Sequence, residues 1–174
     1  EAPGDLNDVL LPLIQDAIKE VRDIYMGLRP SILDDLGIIA TINWYCRDFN
    51  KAYPHIHVEH NIDIDESEIP DELKIVMFRV LQEGLDNVAR HSQADQVEVS
   101  LRKKNNSVEF TLQDNGIGFQ PHETGAAGRA DQGMGLSSMK ERVELVGGRF
   151  AIHAGSGSGT LVQMSYTLRE TSGA

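Results

Sequence analysis

The chain has 174 residues and 19.2 kDa, with 40% hydrophobic and 25% charged residues, which suits one buried core plus an appendage and excludes two full domains or global disorder. A net charge of -11, with no Lys/Arg run longer than Arg102-Lys103-Lys104, argues against a nucleic-acid partner, whose phosphates need clustered cations. The single cysteine, Cys46, excludes an intrachain disulfide and reads as a buried thiol in a reducing compartment, and no stretch approaches the roughly 20 apolar residues that cross a bilayer.

The opening Glu1-Ala2-Pro3-Gly4 resembles neither a signal peptide nor a native start, so the chain is expected to be a soluble piece of something larger. Leu6, Leu10, Leu13, Ala17, Val21, Ile24 and Leu28 recur at intervals of three and four, the seam of an amphipathic helix that packs on other helices. Pro12 kinks it or delays its start, and Leu28-Arg29-Pro30-Ser31 ends it, because the residue before a proline is pushed out of the helical region.

Asp34 or Asp35 can cap a second helix that runs through Tyr53, with Leu36, Ile39, Ile42, Cys46 and Phe49 on one buried face. His55 to Ile64 alternates and reads as the first strand. Asp71 to His91 is the clearest helix: Leu73, Val76, Met77, Val80, Leu81, Leu85 and Val88 form an apolar stripe behind Pro70 and two acids. Gln96 to Lys103 and Ser107 to Gln113 alternate as an antiparallel hairpin joined by Lys104-Asn105-Asn106.

A polar, glycine-rich stretch from Asp114 to Gly135 leads to a short helix over Leu136 to Val146, closed by Gly147-Gly148. Strands over Arg149 to Ala154 and Thr160 to Leu168 flank the turn Gly155 to Gly159. About five strands joined mostly by short turns, with about three helices, predict an α+β two-layer sandwich with helices on one face of a mixed sheet.

Chemistry concentrates at four places. Arg79, Glu83 and Asn87 stand four apart and so share one helix face, where Glu83 and Asn87 offer the hard oxygen donors that Mg²⁺ accepts, while Arg90 and His91 at the helix end can meet phosphates; a solvated face has the same pattern. Asp114-Asn115-Gly116-Ile117-Gly118 leaves a strand with a carboxylate able to accept from an exocyclic amine and with glycines that permit close backbone approach; an Asx turn is the alternative. Gly133-Met134-Gly135-Leu136 precedes a helix, where open amides cradle phosphate, or serves as a plain hinge. Gly157-Ser158-Gly159-Thr160 starts the last strand with a hydroxyl in reach of a ligand, or forms a hairpin turn, and the small residues Gly125 to Gly128 suit a mobile lid.

Together, Glu83-Gly84-Leu85-Asp86-Asn87-Val88-Ala89-Arg90-His91, Asp114-Asn115-Gly116-Ile117-Gly118-Phe119, Gly133-Met134-Gly135-Leu136 and Gly157-Ser158-Gly159-Thr160 closely resemble the N-box and glycine boxes of the Bergerat-fold ATPases. Leu28-Arg29-Pro30, Leu33-Asp34-Asp35-Leu36-Gly37, Gln82-Glu83 and Met139-Lys140-Glu141-Arg142 narrow the resemblance to the sensor histidine kinases that pair with nitrate-response-type regulators.

The resemblance implies ATP held between the long helix and the lid. Asn87 would ligate Mg²⁺, with Glu83 beside it polarising a water, and Arg90 and His91 would meet phosphate oxygens. Asp114 would accept from the adenine amino group, Gly116 and Gly118 would pass close to the ring, Gly133, Gly135 and Leu136 would hinge the lid and face the phosphates, and Thr160 would approach adenine. It further implies that residues 1–32 are the end of a dimerisation hairpin and 33–170 the ATP-binding domain, in a cytoplasmic part of a homodimeric kinase that serves a response regulator with a receiver domain. No direct membrane contact is expected of these residues.

Two departures stand out. Asp86 replaces a neutral residue of the pattern and is expected to point about 100° away from Asn87 around the helix. The phosphoacceptor, a histidine followed by an acid, is missing: only His122-Glu123 has that local pattern, within the lid, so the acceptor is expected upstream of residue 1. His55, His57 and His60 do not share one strand face, which speaks against a metal site there. A nucleotide-responsive module of a degenerate kinase and another Bergerat-fold ATPase are the competing readings.

Overall fold

The computed structural model describes residues 31–119, 130–155 and 157–168. The expected helix over Leu6 to Leu28, its Leu28-Arg29-Pro30 junction, His122 and the small residues Gly125 to Gly128 lie outside them.

Alternation of apolar and polar residues builds the sheet. In β2 (Gln96–Lys104) and β3 (Ser107–Asp114), Val97, Val99 and Leu101 oppose Asp114, Leu112 and Phe110 on one buried face, across a turn in which Asn105 takes φ 54°. Asparagine tolerates that left-handed geometry, so the hairpin closes in two residues. β1 (His57–Asp63) runs parallel to β2, while β5 (Thr160–Thr167) lies antiparallel between β3 and β4 (Arg149–Ala154). The order is β1-β2-β3-β5-β4, a mixed five-stranded sheet as the pattern predicts.

Three helices cover one face: α1 (Ser31–Ala52), α2 (Asp71–Asn87) and α3 (Ala130–Leu145). The α2 stripe, from Leu73 to Leu85, is fully buried with Phe78, which meets Tyr45 of α1 edge-on at 5.6 Å. Cys46 is buried in the same layer, and burial pushes its thiol up to about 12.

Helix starts differ from expectation in two places. Asp34 and Asp35 are exposed and do not begin the helix; α1 already runs from Ser31 and breaks at Gly37, at φ 81°, a conformation that glycine adopts without strain. Its second half is capped from a distance: the Glu66 carboxylate accepts the Ile38 and Ile39 amides, each at 3.0 Å, and Lys74 joins it at 3.0 Å. The other difference is α3, which begins at Ala130 and not at Leu136, so Gly133 and Gly135 lie inside it. Its end follows the pattern, with Gly147 at φ 82° and the amides of Gly147 and Gly148 returned to the Glu144 and Val143 carbonyls, a Schellman close.

The expected α-helix through His91 also changes character at its end. After Asn87 the chain widens into a π turn over Val88–Ser92, closed by Gln93 at φ 55°. Ser92 holds the turn, its hydroxyl donating to the Val88 carbonyl at 2.9 Å and accepting from the Ala94 amide at 3.0 Å.

Candidate functional site

Two adjoining hollows lie between α2, the π turn and α3. The smaller, about 30 Å³, is walled by Asn87, Val88 and His91 on one side, Leu112, Asp114, Thr160 and Val162 of the sheet below, and Gly118, Phe119 and Leu136 opposite. It holds room for about one water. The larger, a cleft of about 620 Å³, runs between Arg79, Glu83 and Asn87 of α2 and Ser138, Met139 and Arg142 of α3. Asn87 and His91 border both.

Sheet register explains the floor of the small hollow. Asp114 ends β3 directly opposite Thr160 at the start of β5, which brings together two residues distant in sequence. Asp114 is 4% exposed and accepts from the Gly116 amide at 2.8 Å and from the Thr160 hydroxyl and amide. Burial raises its pKa above the usual carboxylate range, against the pull of those donors. Gly116 sits where a side chain would strike the Ser92 carbonyl, which keeps the Asp114 turn tight against the π turn. Asn115 faces elsewhere: it accepts from the Asp95 and Gln96 amides and donates to the Asp95 carboxylate at 2.7 Å, tying the turn to the start of β2.

Glu83, Asn87, Arg90 and His91 come together in the cleft because the four-residue spacing carries Glu83 and Asn87 along one face and the π turn swings the last two toward it. The Asn87 Nδ2 is buried and has no hydrogen-bond partner among the described residues. Such an orphan costs about 1–3 kcal/mol, and its place at the border of both hollows fits a ligand that meets it there. Rotating the amide offers Oδ1 at the same spot, beside the Glu83 carboxylate, a donor pair that suits a hard cation.

Two expectations need correction. Asp86 does not point away: it lines the cleft, because Arg90 one turn on donates to its Oδ2 at 2.7 Å and holds it there. Arg90 is therefore matched by Asp86 in this structure. Gly133, Gly135 and Leu136 do not stand ahead of a helix: Gly133 falls in the first turn of α3, and Gly135 and Leu136 lie past it, where an amide bonds back along the helix and is not an open donor. Gly135 has a different use, for a side chain there would displace the Glu83 carboxylate.

Sequence reasoning assigned no role to Ser138 and Arg142, which form the α3 wall, or to Ser92 in the π turn. Their signal is only visible once α3 is laid against α2, although Ser138 and Arg142 do stand four apart on one helix face.

Residues 72–170 match the family of histidine kinase-, DNA gyrase B-, and HSP90-like ATPases. Over 157 residues the chain is 36% identical to the oxygen sensor histidine kinase NreB of Staphylococcus carnosus (strain TM300), covering 88% of this chain and 43% of that protein. Over 168 residues it is 31% identical to the signal transduction histidine-protein kinase/phosphatase DegS of Brevibacillus brevis, covering 97% and 42%. The chain thus spans about two fifths of the length of these relatives. Among solved structures, the histidine kinase domain of the blue-light activated histidine kinase of Erythrobacter litoralis EL346 has a TM-score of 0.55 at 20% identity, over 74% of this chain and 60% of that one, a likeness of fold.

Proposed function

Because the chain belongs to the family of histidine kinase-, DNA gyrase B-, and HSP90-like ATPases, we propose that it is the ATP-binding catalytic domain of a two-component sensor histidine kinase, presenting ATP to a histidine that lies outside these 174 residues. Adenine enters the small hollow and the phosphates lie along the cleft. Asp114 accepts from the adenine amino group, Thr160 steadies that carboxylate, and Gly116 and Gly118 let the backbone run close to the ring.

The buried Asn87 amide, at the border of both hollows, carries the reading. Asn87 and Glu83 would hold Mg²⁺, which when bound neutralises the phosphate oxygens and draws them together. His91 reaches the phosphates from the π turn, and Arg90 does so on leaving Asp86. Leu136 closes over the base, and Gly135 lets Glu83 stand close under α3. With little covalent chemistry of its own to perform, the domain contributes positioning and charge neutralisation.

Residues 1–32 are then the end of a dimerisation hairpin and 33–170 the ATP-binding domain of a homodimeric kinase. Its phosphoryl group passes to the receiver domain of a response regulator, of the nitrate-response type by the resemblance. No described helix is long and apolar enough to cross a membrane. By the resemblance to sensor kinases, the domain works in the cytoplasm. The test is calorimetric titration with a non-hydrolysable ATP analogue, with and without Mg²⁺. The parent chain binds in a Mg²⁺-dependent way and Asn87→Ala loses that dependence; absence of heat from the parent at millimolar nucleotide sinks the reading.

A further inference from the structure

We propose that Arg79 and Arg142, one from each wall of the cleft, form a dibasic seat for the terminal phosphate of the nucleotide and so set a preference for ATP over ADP. This rests on the reading of the cleft as the ATP site.

Asn87, Glu83 and Arg79 follow one another at intervals of four on one face of α2, and only Asn87 of the three touches the small hollow. Arg79 lies eight residues back, about 12 Å along the axis at 1.5 Å per residue. A triphosphate whose base sits against Asp114 extends away from that hollow along this row, and its outermost phosphate reaches the Arg79 end.

Arg142 meets that end from α3. Its Nε donates to the Ser138 hydroxyl at 3.1 Å, one turn back, which steers the guanidinium over the cleft while leaving both terminal nitrogens as donors. Arg79 is braced in turn, donating to Gln82 Oε1 at 2.9 Å with its guanidinium 5.8 Å from the Phe78 ring centre. The two cations feel one another: burial and then the charge of Arg142 lower the Arg79 pKa.

Holding two like charges toward one space is unfavourable unless an anion joins them. The charge of the wall agrees, since three arginines (79, 90 and 142) face two carboxylates (Glu83 and Asp86), an excess of positive charge in a chain of net -11. Arg90 is matched by Asp86 at 2.7 Å, which leaves Arg79 and Arg142 with Glu83, one positive charge over among the described lining residues. Guanidinium forks pair with phosphate oxygens two at a time, and the terminal phosphate, bonded through one bridging oxygen, offers the most oxygens to grip.

The experiment compares ADP with a non-hydrolysable ATP analogue, both with Mg²⁺, by calorimetry on the chain and on its Arg79→Gln, Arg142→Gln and double variants, with thermal melts alongside. Each single variant weakens the triphosphate about tenfold and the double variant further, while ADP affinity changes less than about twofold. Arg142→Lys recovers part of the loss by restoring the charge without the fork. Equal losses for ADP and ATP analogue overturn the assignment, as does undiminished triphosphate binding in the double variant. If Arg79→Gln melts early, Arg142→Gln on the exposed flank of α3 decides alone. A parent that binds neither nucleotide defeats the ATP-site reading itself, a result distinct from a changed ratio.

Discussion

Replacing Asp114 with Asn keeps the shape at the end of β3 and removes its charge, which separates nucleotide recognition from folding. The parent carboxyl is 4% exposed, and burial raises its pKa above the ordinary 3.8 by more than Gly116 and Thr160 lower it. Ionisation is therefore harder in the folded chain than in the unfolded one. The stability linked to this group is complete below the unfolded value and is lost as pH rises through the higher folded value. At neutral pH the charge weighs on the empty domain; Asn relieves that weight but surrenders an accepted hydrogen bond, about 1 kcal/mol. The effects oppose, so the thermal midpoint at pH 7 stays within about 4 °C of the parent. Adenine recognition moves one way only, because a charged acceptor contributes about 1.5–3 kcal/mol and its loss weakens binding by about 10- to 150-fold. Calorimetry and melting on the same samples read both, and parent affinity falls as pH is lowered through the raised Asp114 pKa while the variant stays flat. A midpoint lower by more than about 8 °C with affinity intact would make Asp114 a structural residue and refute the reasoning.

Glu66→Ala removes the acceptor for the Ile38 and Ile39 amides and a partner of Lys74, so urea unfolding shows about 1–2 kcal/mol of lost stability, faster exchange at those amides and unchanged nucleotide affinity. Gly135→Ala gains about 1 kcal/mol of helix propensity yet pushes the Glu83 carboxylate aside. The melting temperature therefore holds or rises while ATP-analogue affinity falls about fivefold, read by calorimetry; equal affinity would show that Glu83 needs no such room. Cys46, with a thiol pushed up to about 12, is ionised to about one part in ten thousand at pH 8, so thiol reagents label it only after urea unfolds the chain. Rapid labelling of the native chain would contradict the burial.

Periodicity made much of the fold legible. The α2 stripe and the alternation on either side of Asn105-Asn106 each reflect local geometry, 3.6 residues per turn or two per pleat, and the chain follows both. What escaped was non-local. The break at Gly37 lies inside a perfect apolar period, and its cap arrives from Glu66, 27 to 28 residues downstream. Gly133 and Gly135 weaken a helix by propensity, so they read as loop, but the helix starts at Ala130 all the same and sets Gly135 beside the Glu83 carboxylate. The site residues were legible as types on a face, Glu83 with Asn87 and Asp114 ahead of its glycines. Their relations were not, because the Asp114–Thr160 register and the Asp86–Arg90 pair appear only when the strands and the π turn are in place.

The widened turn at Val88–Ser92 acts as a splice in a screw thread. Upstream, phase is fixed by the apolar stripe locked into the sheet; downstream, a single surplus residue resets it, so the end that bears Arg90 and His91 is aimed independently of the shaft. Excising one residue there would restore the ordinary pitch and move Arg90 and His91 one place along the helix path, carrying His91 off the border it shares between the two hollows. Insertions and deletions are thus disfavoured at this splice, whereas added length in the exposed Asn105-Asn106 turn disturbs only the pair of hydrogen bonds between Asn106 and Leu168.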